Sequence, residues 1–227
     1  RAIVLLLPGN YNILTIIMSI FYSNLKLKNS ASNCIIAFHA LSFDADAILI
    51  VWAADHYISD TNKFTYIFNK GIKVVSEGYI VTFGVLSDKA ETGYGYIRSG
   101  DKIGSNLYKI DSFVEKNSIE KATHYLLKGL IYVTGNVCIK ASTYLNELKR
   151  YAPDIYFACE QSIANSAMDM DFNRVDGKVF SQSPQNSIDY AGMGHTSLSA
   201  VIPFDSTWSD IGLWSGKDHV TLLFCTK

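Results

Sequence analysis

The chain has 227 residues, of which 48% are hydrophobic and 18% charged, and its formal net charge at pH 7 is −1. This composition supports a large buried core and excludes a disordered chain, while the near-neutral charge gives no broad surface for nucleic acid or an anionic membrane. No internal repeat or Pro/Gly/Ser-rich linker interrupts the chain, so we predict a single domain over residues 1–227.

Buried strands and amphipathic helices alternate in the first half of the chain. Apolar runs predict strands at residues 2–7, 47–54 and 79–86, and helical spacing predicts a helix over 62–78 that ends at a glycine. The apolar segment 11–25 is too short to span a bilayer and is predicted to be a buried helix or strand pair. Alternation of this kind predicts an α/β fold with a largely parallel, buried sheet.

The second half has a more mixed pattern. Residues 112–116 resemble a short strand, 118–129 a capped helix, and the stretch around Gly135 a strand pair or a bulged strand. Two helices follow with a break before Pro153, because the residue preceding a proline disfavours the α conformation. A further strand is predicted at 198–205.

The cysteines and histidines form no metal-binding pattern. The four cysteines are far apart with no CxxC pair, which argues against a zinc knuckle and fits reduced thiols in a cytoplasmic protein. No secretory signal is recognisable near the first residue. GxSxG, HExxH and Walker A patterns are absent from the sequence, so triad hydrolases, zincins and P-loop kinases gain no support.

Two aspartates follow predicted strands, at the position where ligands bind in open, mostly parallel sheets. Asp55 closes the run ILIVWAAD, and Asp210 lies in WSDIG shortly after the run AVIPFD. Two carboxylates placed in this way can hold Mg²⁺ together with substrate phosphates. Helix capping by Asp55 and loop hydrogen bonds to Asp210 are the alternative interpretation.

Two further segments have the chemistry of a phosphosugar site. Glu115 and Lys116 end a short apolar strand, where the carboxylate can accept hydrogen bonds from hydroxyls and the ammonium can meet a phosphate. In the stretch AETGYGYIRSG, Gly93 and Gly95 permit close approach of a ligand to the backbone. An ordinary surface pair and a hairpin turn with exposed tyrosines are the respective alternatives.

Six stretches, taken in order, resemble the bacterial mannose-1-phosphate guanylyltransferases. They cover roughly residues 44–214 and read AADHYISD, VTFGVLSDKAETGYGYIRSG, FVEK, YLNELKRYAPDIYFACE, SIDYAGM and WSDIGLWS. The resemblance implies a Rossmann-like nucleotidyltransferase fold, with a mixed, mostly parallel sheet flanked by helices. It also implies Mg²⁺ as cofactor, and GTP, mannose 1-phosphate and GDP-mannose as ligands.

The resemblance implies a role for each matching residue. Asp55 and Asp210 correspond to the magnesium carboxylates, and Lys116 lies near the sugar phosphate, so that Lys116 and Asp210 are the expected catalytic residues. The remaining residues line the sugar side: backbone at Gly93 and Gly95, with Glu115 on the sugar hydroxyls. Asp189 is expected in a supporting position near the substrate. A homodimer is compatible with the resemblance.

The amino-terminal part departs from the family. Its glycine-rich basic loop corresponds to VLLLPGNYNILT, with one glycine and no Lys or Arg between Arg1 and Lys26. Val133 occupies the position of an asparagine expected at the sugar. We therefore expect residues 1–43 to be divergent or incomplete, from an incomplete chain, a misassigned sequence or a pseudoenzyme. A non-catalytic sugar-nucleotide-binding subunit and a pyrophosphorylase for another sugar are the alternative functions.

Overall fold

The computed structural model describes residues 2–6, 13–14, 29–52, 56–85, 95–114, 119–127, 131–169, 172–184, 195–205 and 208–210. The strands in these ranges are β1 (Ala2–Leu6), β2 (Ile13–Leu14), β3 (Ile48–Trp52), β4 (His56–Ile58), β5 (Ile80–Val85), β6 (Tyr96–Gly104), β7 (Leu107–Val114), β8 (Ile131–Lys140), β9 (Ala167–Asp169), β10 (Phe172–Arg174), β11 (Ser199–Phe204) and β12 (Trp208–Asp210). The helices are α1 (Asn29–Leu41), α2 (Thr61–Ser76), α3 (Ile119–Leu127), α4 (Ala141–Tyr151), α5 (Pro153–Ala164) and α6 (Gly177–Gln182).

Eight of these strands form one sheet in the order β2-β1-β3-β8-β5-β11-β7-β6, and β8 also pairs with β6. The predicted α/β class, with a mixed sheet flanked by helices, is confirmed. The sheet has fewer parallel pairings than the sequence predicted: among the described strands, β5 with β11 is the parallel pair. Strand β8 lies between β3 and β5 and runs against both.

A long hairpin accounts for part of this difference. Strands β6 and β7 pair antiparallel through a turn at Ser105 and Asn106, and Asn106 has a φ of 49°, which asparagine tolerates better than most residues. Its Nδ2 donates a hydrogen bond to the Pro203 carbonyl oxygen at 2.7 Å, which fixes the turn against β11. For the stretch AETGYGYIRSG, a hairpin turn with exposed tyrosines is the alternative prediction. Its described part from Gly95 leads into β6, and Tyr96 is fully buried.

Apolar side chains cover both faces of the central sheet. Leu49 and Val51 of β3 pack with α1, α4, α5 and α6 on one face. Ile48 and Ile50 of the same strand pack with α2 on the other, because successive side chains of a strand alternate between faces. The prediction of a sheet buried on both sides is therefore confirmed.

Helix ends follow the local signals in the sequence. Helix α2 is followed by Gly78, whose φ of 97° only glycine adopts readily and whose N–H bonds to the Val75 carbonyl at 2.9 Å. Helices α4 and α5 are separated before Pro153, as predicted. Of the apolar segment 11–25, the described part is β2.

The cysteines in the described residues are free and buried, in agreement with the prediction of reduced thiols. They are Cys34, Cys138 and Cys159; Cys225 lies outside the described residues. None of the described helices is both long enough and apolar enough to cross a membrane.

Candidate active site

Three buried strands end at the same edge of the sheet. Strands β3 and β5 both run against β8, and β11 runs parallel to β5, so the carboxyl ends of β3, β5 and β11 lie together. These ends are Trp52, Val85 and Phe204. Ligands bind outside the carboxyl ends of the strands in sheets of this type, which makes this edge the candidate active site.

Aromatic rings pack beneath this edge. Trp52 contacts Phe64 of α2 edge-to-face, with ring centroids 4.8 Å apart, and its centroid lies 6.4 Å from that of Phe83 in β5. Phe64 also lies 6.5 Å from Phe204 of β11. Because such pairs add stabilisation beyond the area they bury, the cluster fixes the ends of the three strands relative to one another.

A short two-stranded ribbon follows two of these strands in the chain and contains Asp210, one of the two predicted magnesium carboxylates. Strands β4 and β12 pair antiparallel, with Asp210 opposite His56. Asp55 lies outside the described residues, but it is bonded to His56.

Lys63 is a basic residue at this edge that the sequence analysis did not identify. It lies in the first turn of α2, five residues after β4, and its Nζ is 3.9 Å from a carboxylate oxygen of Asp205. The same ammonium donates a hydrogen bond to the Asp205 carbonyl oxygen. These contacts join α2 to the end of β11, immediately before the connection to β12. The sequence signal available was the position of Lys63 in the first turn of a predicted helix.

Gly95, one of the predicted site residues, lies at the entry to β6. Gly95 is half-buried and directly precedes Tyr96, which lies opposite both Val114 of β7 and Tyr132 of β8. Glu115 follows Val114 in the chain. The backbone therefore brings Gly95 beside the point at which the chain continues to Glu115 and Lys116.

Of the predicted site residues, Gly95 and Asp210 lie within the described ranges. Outside the described residues lie Asp55, Gly93, Glu115, Lys116 and Asp189. The roles of these residues stay predictions. The single domain over residues 1–227, with a divergent or incomplete part at 1–43, also stays a prediction. Residue Val133, at the position of the expected asparagine, lies opposite Gly84 of β5.

The described residues include no group of three His, Cys, Asp or Glu side chains that could hold a metal ion. A magnesium site needs fewer protein ligands, because it usually combines one or two carboxylates with phosphate oxygens and water. The oxygen donors Asp55 and Asp210 have the hard-ligand chemistry that Mg²⁺ prefers. The donor set at the β4–β12 ribbon therefore fits this ion, and Mg²⁺ stays a prediction.

The sequence pattern of the family described as Nucleotidyl transferase matches residues 13–217. The chain belongs to the nucleotidyl transferase family. Among curated members, the mannose-1-phosphate guanylyltransferase RfbM of Salmonella typhimurium is 44% identical over 183 residues, which are 78% of this chain and 38% of that protein. A mannose-1-phosphate guanylyltransferase of Escherichia coli is 39% identical over 177 residues, covering 76% and 37%.

These relatives confirm the resemblance stated from the motifs, and this nucleotidyl transferase chain spans less than half of their length. Two solved structures have the same fold. One, from Thermus thermophilus and named a mannose-1-phosphate geranyltransferase, has a TM-score of 0.76 and 27% identity over 87% of this chain and 56% of that chain. The other, named a mannose-6-phosphate isomerase from Helicobacter pylori, has a TM-score of 0.71 and 29% identity, covering 82% and 72%.

Proposed function

We propose that this chain carries the catalytic domain of a mannose-1-phosphate guanylyltransferase, which forms GDP-mannose and pyrophosphate from GTP and mannose 1-phosphate. The observation that carries the proposal is the β4–β12 ribbon, which pairs Asp210 with the residue after Asp55 at the ligand-binding edge of the sheet. The names of the curated relatives and of both solved neighbours refer to mannose phosphates, which favours mannose over another sugar.

In the proposed reaction a sugar-phosphate oxygen attacks the α-phosphorus of GTP in line, and pyrophosphate leaves. Asp55 and Asp210 would hold Mg²⁺, which supplies positive charge to the phosphate oxygens when bound. Lys116 would hold the sugar phosphate as a point charge. Such a reaction depends mainly on positioning and charge neutralisation, so these residues need not form a covalent intermediate.

The sugar would bind beside the entry to β6. Backbone at Gly93 and Gly95 would approach the ring closely, because glycine presents no Cβ. Glu115 would accept hydrogen bonds from the sugar hydroxyls, and Asp189 would have a supporting position near the substrate. The position of Gly95 next to the end of β7 supports this arrangement.

Pyrophosphate release tests the proposal. We expect release from GTP that requires both mannose 1-phosphate and Mg²⁺, and we expect Asp210→Asn to lower it at least a hundredfold, because one magnesium carboxylate is lost. The matched control is Asp154→Asn, an exposed acidic residue in α5, which should keep parental activity.

Three outcomes would contradict parts of the proposal. Parental activity in Asp210→Asn would show that the Asp55 and Asp210 assignment is wrong. Binding of GDP-mannose without turnover would support the non-catalytic subunit instead. Pyrophosphate release that is as fast with glucose 1-phosphate as with mannose 1-phosphate would support a pyrophosphorylase for another sugar.

A further inference from the structure

Strand β8 contains a bulge next to the candidate site. Val137 lies opposite Thr82 of β5, but Val133 lies opposite Gly84, so four residue steps in β8 match two in β5. On its other side, β8 pairs with β3 as far as Val137 and with β6 from Tyr132. Residues 134–136 therefore have no register partner on any described neighbouring strand.

A buried hydrogen bond holds this bulge. The Thr82 hydroxyl donates to the carbonyl oxygen of Asn136 at 2.9 Å, and both residues are buried, with exposures of 0% and 1%. The hydroxyl thus bonds to the segment of β8 where its register with β5 shifts. A buried hydrogen bond of this kind contributes about 0.5–1.5 kcal/mol, so it favours this bulge over alternative registers.

The bulge affects the position of the β8 residues that pair with the entry to β6. Beyond it, Tyr132 pairs with Val85 of β5 on one edge and with Tyr96 of β6 on the other. Bulges bend a strand and change the direction of nearby side chains, and they are common beside active sites. Because Gly95 directly precedes Tyr96, the position of the bulge sets the position of Gly95.

We propose that Thr82 is a positioning residue for the sugar side of the site, where its hydroxyl holds the β8 bulge so that Gly95 and the backbone at 134–135 line the sugar subsite. This role rests on the proposed function. Thr82 acts through β8 and does not touch the substrate. A buried hydroxyl costs free energy unless it forms a hydrogen bond, so the bond to Asn136 accounts for a threonine at this core position.

The test compares Thr82→Val, which removes the donor and nearly keeps the shape, with Thr82→Ser, which keeps the donor. Amide hydrogen exchange is measured for the peptides covering 95–97 and 131–133, and the dissociation constants of GDP-mannose and GTP are measured by calorimetry. We expect valine to speed exchange in both segments and to weaken GDP-mannose binding roughly tenfold, with GTP binding changed less than about twofold. Serine should restore parental values.

Thr65→Val is the matched control, because the Thr65 hydroxyl also donates to a backbone carbonyl, that of Thr61 at 2.8 Å, but on the exposed face of α2. It should leave exchange in both segments unchanged. If Thr82→Val does not fold, Thr82→Ala takes its place under the same criteria.

The inference is overturned if exchange in both segments stays parental in the valine variant, or if GTP and GDP-mannose weaken equally. Failure of the proposed function gives a different result. In that case the parent itself binds neither ligand, and the sugar-side role of Thr82 falls with the function. Faster exchange in Thr82→Val would then still show that the hydroxyl holds the bulge.

Discussion

Cys138 is a titratable residue in the middle of the sheet. It lies in β8 between Ile50 of β3 and Val81 of β5 and is fully buried. Burial raises the pKa of its thiol to about 12. Burial, and after it the neighbouring Cys159, also raises the pKa of Cys34. Both side chains are therefore neutral at physiological pH and behave as small apolar groups.

The raised pKa of Cys138 predicts a loss of stability in alkali. Above the unfolded pKa of 9.0 the unfolded chain loses the thiol proton while the folded chain keeps it, so the free energy of unfolding falls as pH rises towards 12. The contribution is about 1.4 kcal/mol per pH unit within this window. In urea unfolding between pH 9 and 11, the free energy of unfolding should fall more steeply with pH for the parent than for Cys138→Ala. Equal slopes would mean that Cys138 ionises without unfolding.

Helix α2 shows how local chemistry fixes an element beside the site. Asp60 caps it, accepting a hydrogen bond from the Lys63 backbone N–H at 2.9 Å, and Gly78 follows its end. The cap places the first turn, and with it the ammonium of Lys63, against the end of β11. The position of Lys63 therefore depends on a side chain in the loop before the helix.

Removal of this cap should cost stability. We expect Asp60→Ala to lower the free energy of unfolding by about 1 kcal/mol, because the first turn loses its side-chain acceptor. Asp60→Ser keeps an acceptor and should lose less than half as much. Urea denaturation at constant pH measures both variants. A serine variant as unstable as the alanine variant would indicate that the charge of Asp60, and not its capping bond, stabilises the helix.

The elements also show what the sequence could and could not predict. The ends of α2 and the break before Pro153 depend on neighbouring residues, so the sequence predicted them correctly. Strands β4 and β12 have three residues each and pair across about 150 residues, so no periodicity reveals them. Asp55 and Asp210 could be proposed as a pair from their positions after predicted strands and from the resemblance, whereas the pairing of β4 with β12 could not be predicted.

At the scale of the whole molecule, apolar side chains cover both faces of the sheet. Apolar runs predicted the burial of the strands, because residues on both faces must be apolar. They did not predict strand direction, because the same runs suit a strand in either orientation. The antiparallel placement of β8 between β3 and β5 follows from the pairing of these strands in the structure and not from the sequence.

A ligand that binds this edge should stabilise the whole fold. With GDP-mannose and Mg²⁺ at a hundred times the dissociation constant, we expect about 2.7 kcal/mol of stabilisation and a melting temperature higher by roughly 5 to 10 °C. Calorimetry with UDP-glucose at the same concentration is the control, since it has the same diphosphate but another base and sugar. Equal shifts would indicate that the site recognises only the diphosphate.

The pairing of β5 with β11 has a consequence for how the molecule folds. Ile80 lies opposite Ser199, so two central strands that end at the candidate active-site edge are about 120 residues apart in the chain. Loop closure over such a distance is costly before the contacts form, and topologies rich in distant pairings fold slowly. During synthesis, β5 leaves the ribosome well before β11. The backbone edge of β5 that pairs with β11 then has to stay unpaired, and open to association with other chains, until the last strand of the candidate active-site edge is synthesised.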